Sequence, residues 1–161
     1  MKTLLLVRHA KSAHNLGLSS DFDRPLNDRG IREAREMGEK LYRKKIKIDG
    51  FVSSPAIRAK MTAELFAAEY GRKMKEIVFV PSLYEAGPKQ FTDVVSELEE
   101  SYDHVALFSH NPGITEFASA LTDTHITQMA TSSVFAVSIE TDHWKDFVEA
   151  KKHFLFFYKP E

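Results

Sequence analysis

Two histidines and two arginines stand in this sequence where short apolar runs give way to polar residues, a pattern that suits phosphoryl transfer. Arg8-His9 ends the apolar run that starts at residue 3, His110 follows a second apolar run, and Arg58 comes three residues after Pro55. A guanidinium binds phosphate oxygens through two parallel N–H donors and stays charged at any relevant pH. A neutral imidazole is a competent nucleophile toward phosphorus. These residue types therefore predict transfer of a phosphoryl group through a phosphohistidine on His9.

Positive charge beside His9 would assist such a reaction in two ways. It lowers the pKa of the imidazole from about 6.5, which keeps the ring unprotonated at neutral pH. It also offsets the negative charge of the phosphoryl group as that group arrives. Asn15, six residues after His9, adds an amide on the loop that leaves the first predicted strand.

A metal site is a weaker alternative for the same histidines. Zinc normally takes three or four His, Cys or carboxylate ligands, and neighbouring arginines would repel the cation. The chain has no cysteine, and His9 and His14 are five residues apart without the helical spacing and intervening Glu of a zinc motif. We therefore expect no metal and no cofactor.

The elements that must position these residues alternate between strands and helices. Apolar runs predict strands at 3–7, 50–53, 77–80, 105–108, 133–139 and 154–158. Runs that are apolar on both faces are typical of the central strands of a parallel sheet covered by helices. The alternation predicts a three-layer α/β/α sandwich with a mostly parallel central sheet.

Helical spacing of apolar residues predicts four helices, and two of them begin directly after strands. The first helix carries its stripe from Ile31 to Leu41 with Asn27 as N-cap, the second runs from Ile57 to Ala68, and two more cover 90–100 and 114–121. Ser54-Pro55 and Asn111-Pro112 each predict a cap followed by proline at the first helical position. Both helix N-termini then lie at the carboxyl edge of the sheet, where open α/β sheets bind ligands and free N–H groups favour an anion.

Composition limits the remaining classes of function. The 161 residues carry a net charge of -1 with 28% charged residues, so there is no overall charge for binding nucleic acid or an anionic membrane. The apolar run at the N-terminus has four residues, which is too short for a signal peptide. We expect a single domain over 1–161 and a cytoplasmic location.

Four segments together resemble the histidine phosphatase superfamily, the phosphoglycerate-mutase-like proteins, and within it the SixA-like phosphohistidine phosphatases. Residues 6–10 resemble the Arg-His-Gly signature, with Asn15 at its downstream Asn. Residues 24–30 are similar to the Pro-Leu-Thr-x-x-Gly segment. Residues 53–63 match Ser-Ser-Pro-x-x-Arg-Ala-x-Gln-Thr-Ala, and residues 109–113 resemble Gly-His-Asn-Pro-Gly. The order and spacing of the four segments make the resemblance specific.

The resemblance implies a role for each matching residue. It makes His9 the nucleophile and assigns the phosphoryl oxygens to Arg8, Arg58 and His110, with Asn15 in support. Glu85 falls where relatives that use a carboxyl general acid place it, although an exposed loop glutamate is an equally good interpretation. Three departures stand in the motifs, namely Ala10 for Gly, Asn27 for Thr and Met61 for Gln.

Three functions stay open at this point. The first is a metal-independent phosphatase that acts on phosphohistidine of a protein or on a small phosphorylated compound, and releases phosphate. The second is a phosphoglycerate mutase-type phosphotransferase, which needs a closed pocket to protect the phosphoenzyme from water. The third is a non-catalytic protein that binds a phosphorylated ligand, since fold does not fix function. The sequence names no substrate and no oligomeric state.

Overall fold

The computed structural model describes residues 1–14, 17 and 20–161, and its centre is a six-stranded sheet. In chain order the strands are β1 (Lys2–Arg8), β2 (Gly50–Ser53), β3 (Ile77–Phe79), β4 (His104–Ser109), β5 (Val134–Ile139) and β6 (Lys152–Tyr158). Their order in space is β3-β2-β4-β1-β5-β6. All six predicted strands are present, and the largest difference is β6, which begins two residues earlier than expected.

The sheet is parallel on one side and antiparallel on the other. β3, β2, β4 and β1 run parallel, whereas β5 pairs antiparallel with β1 and β6 pairs antiparallel with β5. The prediction of a mostly parallel sheet is therefore confirmed, with two antiparallel pairings at one edge, where β5 runs opposite to the other strands. β1 and β4 lie at the centre, which makes the ends of these two strands neighbours.

Helices cover both faces of the sheet. The four helices are α1 (Asp28–Arg43), α2 (Ile57–Glu69), α3 (Pro88–Ser96) and α4 (Gly113–Leu121). Alternate residues of β1 separate the two cores: Leu4 and Leu6 pack with residues of α3 and α4, and Leu5 and Val7 pack with residues of α1 and α2. This arrangement is the predicted three-layer α/β/α sandwich.

The helix boundaries agree with the prediction at α1, agree to within one residue at α2 and α4, and differ at α3. Asn27 is the N-cap of α1, and its side chain accepts a hydrogen bond from the Gly30 N–H. α3 ends at Ser96 instead of Glu100, because the acidic residues that follow lie at the negative end of the helix dipole, where negative charge is unfavourable.

At the two Pro-containing junctions, the proline does not take the first helical position that the sequence predicted. α2 starts at Ile57 and α4 at Gly113, after their prolines, and the Asn111–Pro112 peptide bond is cis. Asn111 does not cap α4, because its side chain is engaged elsewhere: it donates to the Met129 carbonyl and accepts from the Thr115 hydroxyl. Both helix N-termini nevertheless follow strands at the carboxyl edge of the sheet.

No helix in the described part of the chain is long and apolar enough to cross a membrane.

Candidate active site

The register of the two central strands brings His9 and His110 together. β1 and β4 pair with Arg8 opposite Ser109, and the His9 N–H donates to the Ser109 carbonyl. Each histidine is the first residue after its strand, so the two side chains leave the sheet at the same edge. The centroids of the two rings are 5.1 Å apart.

Hydrogen bonding among the described residues fixes which ring nitrogen of His9 carries the hydrogen. Nδ1 lies 2.7 Å from the Ala10 carbonyl oxygen. A carbonyl only accepts, so Nδ1 carries the hydrogen and the lone pair of the neutral ring is on Nε2. Burial lowers the pKa of His9 to about 4, and Arg58, Arg8 and Arg24 act in the same direction. The expected direction is therefore correct, but burial contributes more than the arginines.

Arg8 is held by the loop that precedes β5. Its Nη1 donates to the Met129 carbonyl at 3.0 Å, the same oxygen that accepts from Asn111. Its Nε is buried and has no hydrogen-bond partner among the described residues. Burial, followed by the charge of Arg58, lowers the pKa of the guanidinium. One N–H of Arg8 is thus available to a ligand.

Arg58 lies in the first turn of α2 and is fixed from behind by Asp21. Its Nη1 donates to the Asp21 carbonyl at 2.7 Å and its Nη2 to the Asp21 carboxylate at 3.0 Å. Arg24 and the Tyr84 hydroxyl also donate to that carboxylate, and the Tyr84 bond is the largest cause of its lowered pKa. The Arg58 Nε is buried and unpartnered among the described residues.

His110 is anchored through one nitrogen and leaves the other unbound. Its Nε2 lies 2.8 Å from the Ser54 hydroxyl oxygen, whereas its Nδ1 is buried without a hydrogen-bond partner in the described part of the chain. Burial, followed by the charges of His9 and Arg58, lowers its pKa to about 3, so the ring is neutral at pH 7.

These side chains line one basic cleft of about 330 Å³. Its walls are Arg8, His9, Lys11, Ser12, His14, Arg24, Arg58, His110, Asn111 and Thr131. No carboxylate is among these described residues, so the cleft strongly favours an anion. A larger groove of about 720 Å³ between Tyr42 and Tyr70 is also lined by lysines and arginines, but it contains an aspartate and a single histidine and so lacks the pair of imidazoles.

The loop that carries His9 is fixed by close backbone contacts with α1 and α2. A Cβ added at Gly30 would lie 2.0 Å from the Lys11 carbonyl oxygen, so only glycine permits this approach. On the other side, the Ala10 N–H donates to the Thr62 hydroxyl at 2.9 Å. Ala10 is not among the described residues with positive φ, so the alanine that replaces the family's glycine requires no left-handed backbone.

The structure does not bring Glu85 into this cleft. Its side chain is exposed, its φ is +57°, and it is absent from the cleft walls formed by the described residues. Its neighbour Tyr84 does reach the site, since the Tyr84 ring contacts His110 edge-on with centroids 5.6 Å apart. Asn15 lies outside the described residues.

Sequence reasoning missed several residues that shape the cleft. Lys11 and Arg24 line it directly, Asp21 holds Arg58, and Ser54 contacts His110. Ser54 was recognised only as part of a motif and as a helix cap. Asp21 and Arg24 carry their charges between β1 and α1, and nothing in the sequence shows that α2 places Arg58 beside them.

Among the described residues, no group of three His, Asp or Glu side chains is placed to hold a metal ion. The expectation that the protein uses no metal stays a prediction.

This fold, with two histidines and two arginines at the carboxyl edge of the central strands, agrees with the comparison with known families. The chain belongs to the histidine phosphatase superfamily (branch 1), whose family model matches residues 4–104. An uncharacterized protein of Mycobacterium tuberculosis is 30% identical over 149 residues, which cover 87% of this chain and 90% of that protein.

Solved structures with the same fold include two named for SixA. The putative phosphohistidine phosphatase SixA of Agrobacterium tumefaciens superposes with a TM-score of 0.82 at 22% identity, over 99% of each chain. The protein histidine phosphatase SixA complexed with tungstate gives a TM-score of 0.82 at 22% identity, over 98% of this chain and 97% of that one. The SixA-like resemblance expected from the sequence is thereby confirmed at the level of the fold.

Proposed function

We propose that this protein is a phosphatase that hydrolyses phosphohistidine, or a related phosphoramidate, through a covalent phosphoryl group on Nε2 of His9. One observation carries the proposal. Three buried polar atoms without partners among the described residues, Nε of Arg8, Nε of Arg58 and Nδ1 of His110, belong to cleft residues around the ring of His9. Buried polar atoms are rarely left unpaired, and an oxyanion would satisfy all three.

The first step is an in-line attack of the His9 Nε2 lone pair on phosphorus. The Nδ1–H bond to the Ala10 carbonyl keeps that lone pair on Nε2 and supports the positive charge that develops on the ring. Arg8, Arg58 and His110 donate to the oxygens of the transferring group, whose charge is spread over three oxygens in the transition state. The leaving group departs from the opposite side of phosphorus.

The absence of a carboxyl group from the described cleft walls bears on the leaving group. An alkoxide needs a proton as it departs, and Glu85 is not placed to give one. A phosphoramidate can be protonated before the P–N bond breaks, on the amine nitrogen or, in phosphohistidine, on the second ring nitrogen, so the leaving group departs as a neutral amine or imidazole. The cleft therefore suits phosphohistidine better than an alkyl phosphate ester.

The second step is attack of water on the phosphohistidine, which releases inorganic phosphate and restores the neutral ring. The donors that stabilise the first transition state stabilise the second, because the phosphoryl group passes back through the same geometry. The site needs no metal or cofactor in this scheme. We place the reaction in the cytoplasm and take the substrate to be a phosphorylated protein or a small phosphorylated compound.

Labelling with a radioactive phosphohistidine donor tests the proposal. We expect acid-labile, base-stable label on His9 in a rapid quench, and release of phosphate in the steady state. His9→Ala should lose both, whereas His104→Ala, at the opposite end of β4, should keep both. Label in the His9→Ala variant, or no phosphate from phosphohistidine and from aryl phosphates with the unmodified protein, would refute it. Binding of phosphohistidine without turnover would instead indicate a ligand-binding protein.

A further inference from the structure

Ser54 lies directly behind His110, on the side away from its unpartnered nitrogen. Ser54 is completely buried, and its Oγ lies 2.8 Å from Nε2 of His110, which is itself 7% exposed. The Ala56 N–H donates to the same Oγ at 3.2 Å. The contact follows from sheet register, because β2 lies next to β4 and the Ser54 N–H donates to the Phe108 carbonyl.

Counting donors and acceptors fixes the direction of the bond between the two side chains. A serine hydroxyl has one hydrogen to donate and two lone pairs to accept with. The Ala56 N–H already donates to one lone pair of the Ser54 oxygen. The hydroxyl hydrogen of Ser54 then still needs an acceptor. The neighbouring Nε2 of His110 is that acceptor. The opposite direction would leave a buried hydroxyl hydrogen unpaired, at a cost of about 1–3 kcal/mol.

We propose that Ser54 is a positioning residue that holds His110 in its Nδ1–H tautomer, and that this N–H is the donor to a phosphoryl oxygen. The second half of the statement rests on the proposed phosphatase function, whereas the tautomer itself does not. In the other tautomer, His110 would present the lone pair of Nδ1 to the phosphoryl oxygen, and the lone pair and the oxygen would repel each other. Ser54 therefore decides whether the second histidine of the cleft attracts or opposes the phosphoryl group.

The choice of tautomer matters because His110 is uncharged before a ligand binds. A protonated imidazole would donate from both nitrogens whatever its partner, but burial lowers the pKa of this ring to about 3. The hydroxyl of the adjacent Ser53, at the end of β2, makes a different contact from that of Ser54. Ser53 is also completely buried, but its hydroxyl donates to the Ser54 carbonyl and does not touch a ring.

A double-mutant cycle tests whether Ser54 acts through His110. Loss of one hydrogen bond to a charged group corresponds to a fall in kcat/KM of about 10- to 100-fold, which we expect for Ser54→Ala and for His110→Ala. The double variant should be no worse than His110→Ala within about threefold. Ser54→Thr keeps a hydroxyl and should recover most of the loss, and the matched control Ser53→Ala should stay within about threefold of the unmodified protein. Losses that multiply in the double variant would overturn the proposal.

Nitrogen NMR of the imidazole gives a second test that needs no turnover, and its decisive result comes from the unmodified protein. At pH 7 the unmodified protein should show His110 protonated at Nδ1 and unprotonated at Nε2, and Ser54→Ala should show a mixture or the other tautomer. A ring protonated at Nε2 in the unmodified protein would contradict the assignment outright. Titration with inorganic phosphate completes the test, with binding about 10-fold weaker in Ser54→Ala. An inactive protein with the Nδ1–H tautomer would disprove the phosphatase and leave the role of Ser54 in the tautomer standing.

Discussion

The two buried histidines of the cleft should make this fold unusually sensitive to mild acid. Burial lowers the pKa of His9 to about 4 and that of His110 to about 3. In the unfolded chain both rings titrate near 6.5. As the pH falls below about 6.5, the unfolded chain therefore takes up protons that the folded protein does not, and the free energy of unfolding falls. The loss continues until the folded pKa values are reached.

The size of the effect between pH 7 and pH 5 follows from these values. Each pH unit below the unfolded pKa costs about 1.4 kcal/mol per ring while the folded ring stays neutral. Over this range one histidine accounts for about 2 kcal/mol and the pair for about 4 kcal/mol. A typical domain has a free energy of unfolding of about 5–15 kcal/mol, so the loss is a large part of the total. Most carboxylates stay ionised at pH 5 and contribute little.

Urea unfolding at pH 7 and pH 5 measures this loss, with fluorescence of the fully buried Trp144 as the signal. Buffers must contain no phosphate, because a bound anion stabilises the folded state. The double variant His9→Asn/His110→Asn should lose about 4 kcal/mol less between the two pH values than the unmodified protein. His104→Asn serves as control and should behave like the unmodified protein. An equal loss in the double variant would show that the two cleft rings are not the cause.

Three further substitutions have expected outcomes that follow from single contacts. Glu85→Gly should raise the free energy of unfolding by about 1 kcal/mol, because glycine adopts a φ of +57° without steric cost, and should leave the rate with phosphohistidine unchanged. Gly113→Ala should lower the urea midpoint strongly, because its Cβ would lie 1.8 Å from the Ala86 carbonyl oxygen. Thr62→Val should cost about 1–3 kcal/mol in urea unfolding and reduce phosphatase activity, because the buried Ala10 N–H loses its acceptor.

Controls distinguish these effects from general damage. Gly87→Ala adds a Cβ that meets only the end of the Gln90 side chain at 3.3 Å, so its urea midpoint should stay close to that of the unmodified protein. Thr62→Ser keeps the hydroxyl and should retain activity. A Glu85→Gly variant that loses activity with phosphohistidine would show that the carboxyl group takes part in the reaction.

The sequence was sufficient to predict the strands, the helices and the edge of the sheet at which the candidate site lies. Apolar runs identify strands wherever they are buried, and Arg8-His9 and His110 follow such runs directly, so their place in the fold needs only local information. The family model and the fold comparison then agree with the resemblance that four short motifs suggested. The antiparallel pairing of β5 with β1 and with β6 was not predicted, because the spacing of apolar residues is the same in either strand direction.

Contacts between distant segments account for most of what sequence reasoning missed. Arg58 meets Asp21 across 37 residues and His110 meets Ser54 across 56, and no local pattern encodes either distance. Glu85 was assigned by analogy with a motif, and the exposure of its side chain depends on a contact between distant segments, in which the Ala86 carbonyl lies against Gly113 of α4. The single domain over 1–161, the cytoplasmic location and the absence of a metal stay predictions.

The buried donors and neutral rings of the cleft lower the stability of the fold, and the same groups make the cleft selective for an anion. A fold that only needed stability would pair the Nε of Arg8 and of Arg58 with protein acceptors, as it does for Nη1 of Arg8 and for both Nη atoms of Arg58. It would also expose or charge the two imidazoles instead of burying them neutral. The donors without partners and the neutral rings together become favourable only when an anion with several oxygens binds. The donors have already lost their water on folding, so each oxygen that accepts from one of them gains a hydrogen bond without a further desolvation cost to that donor. A chloride ion can accept from these donors but cannot be attacked by Nε2 of His9. The arrangement is therefore better explained by transfer of a phosphoryl group than by a site that only binds an anion.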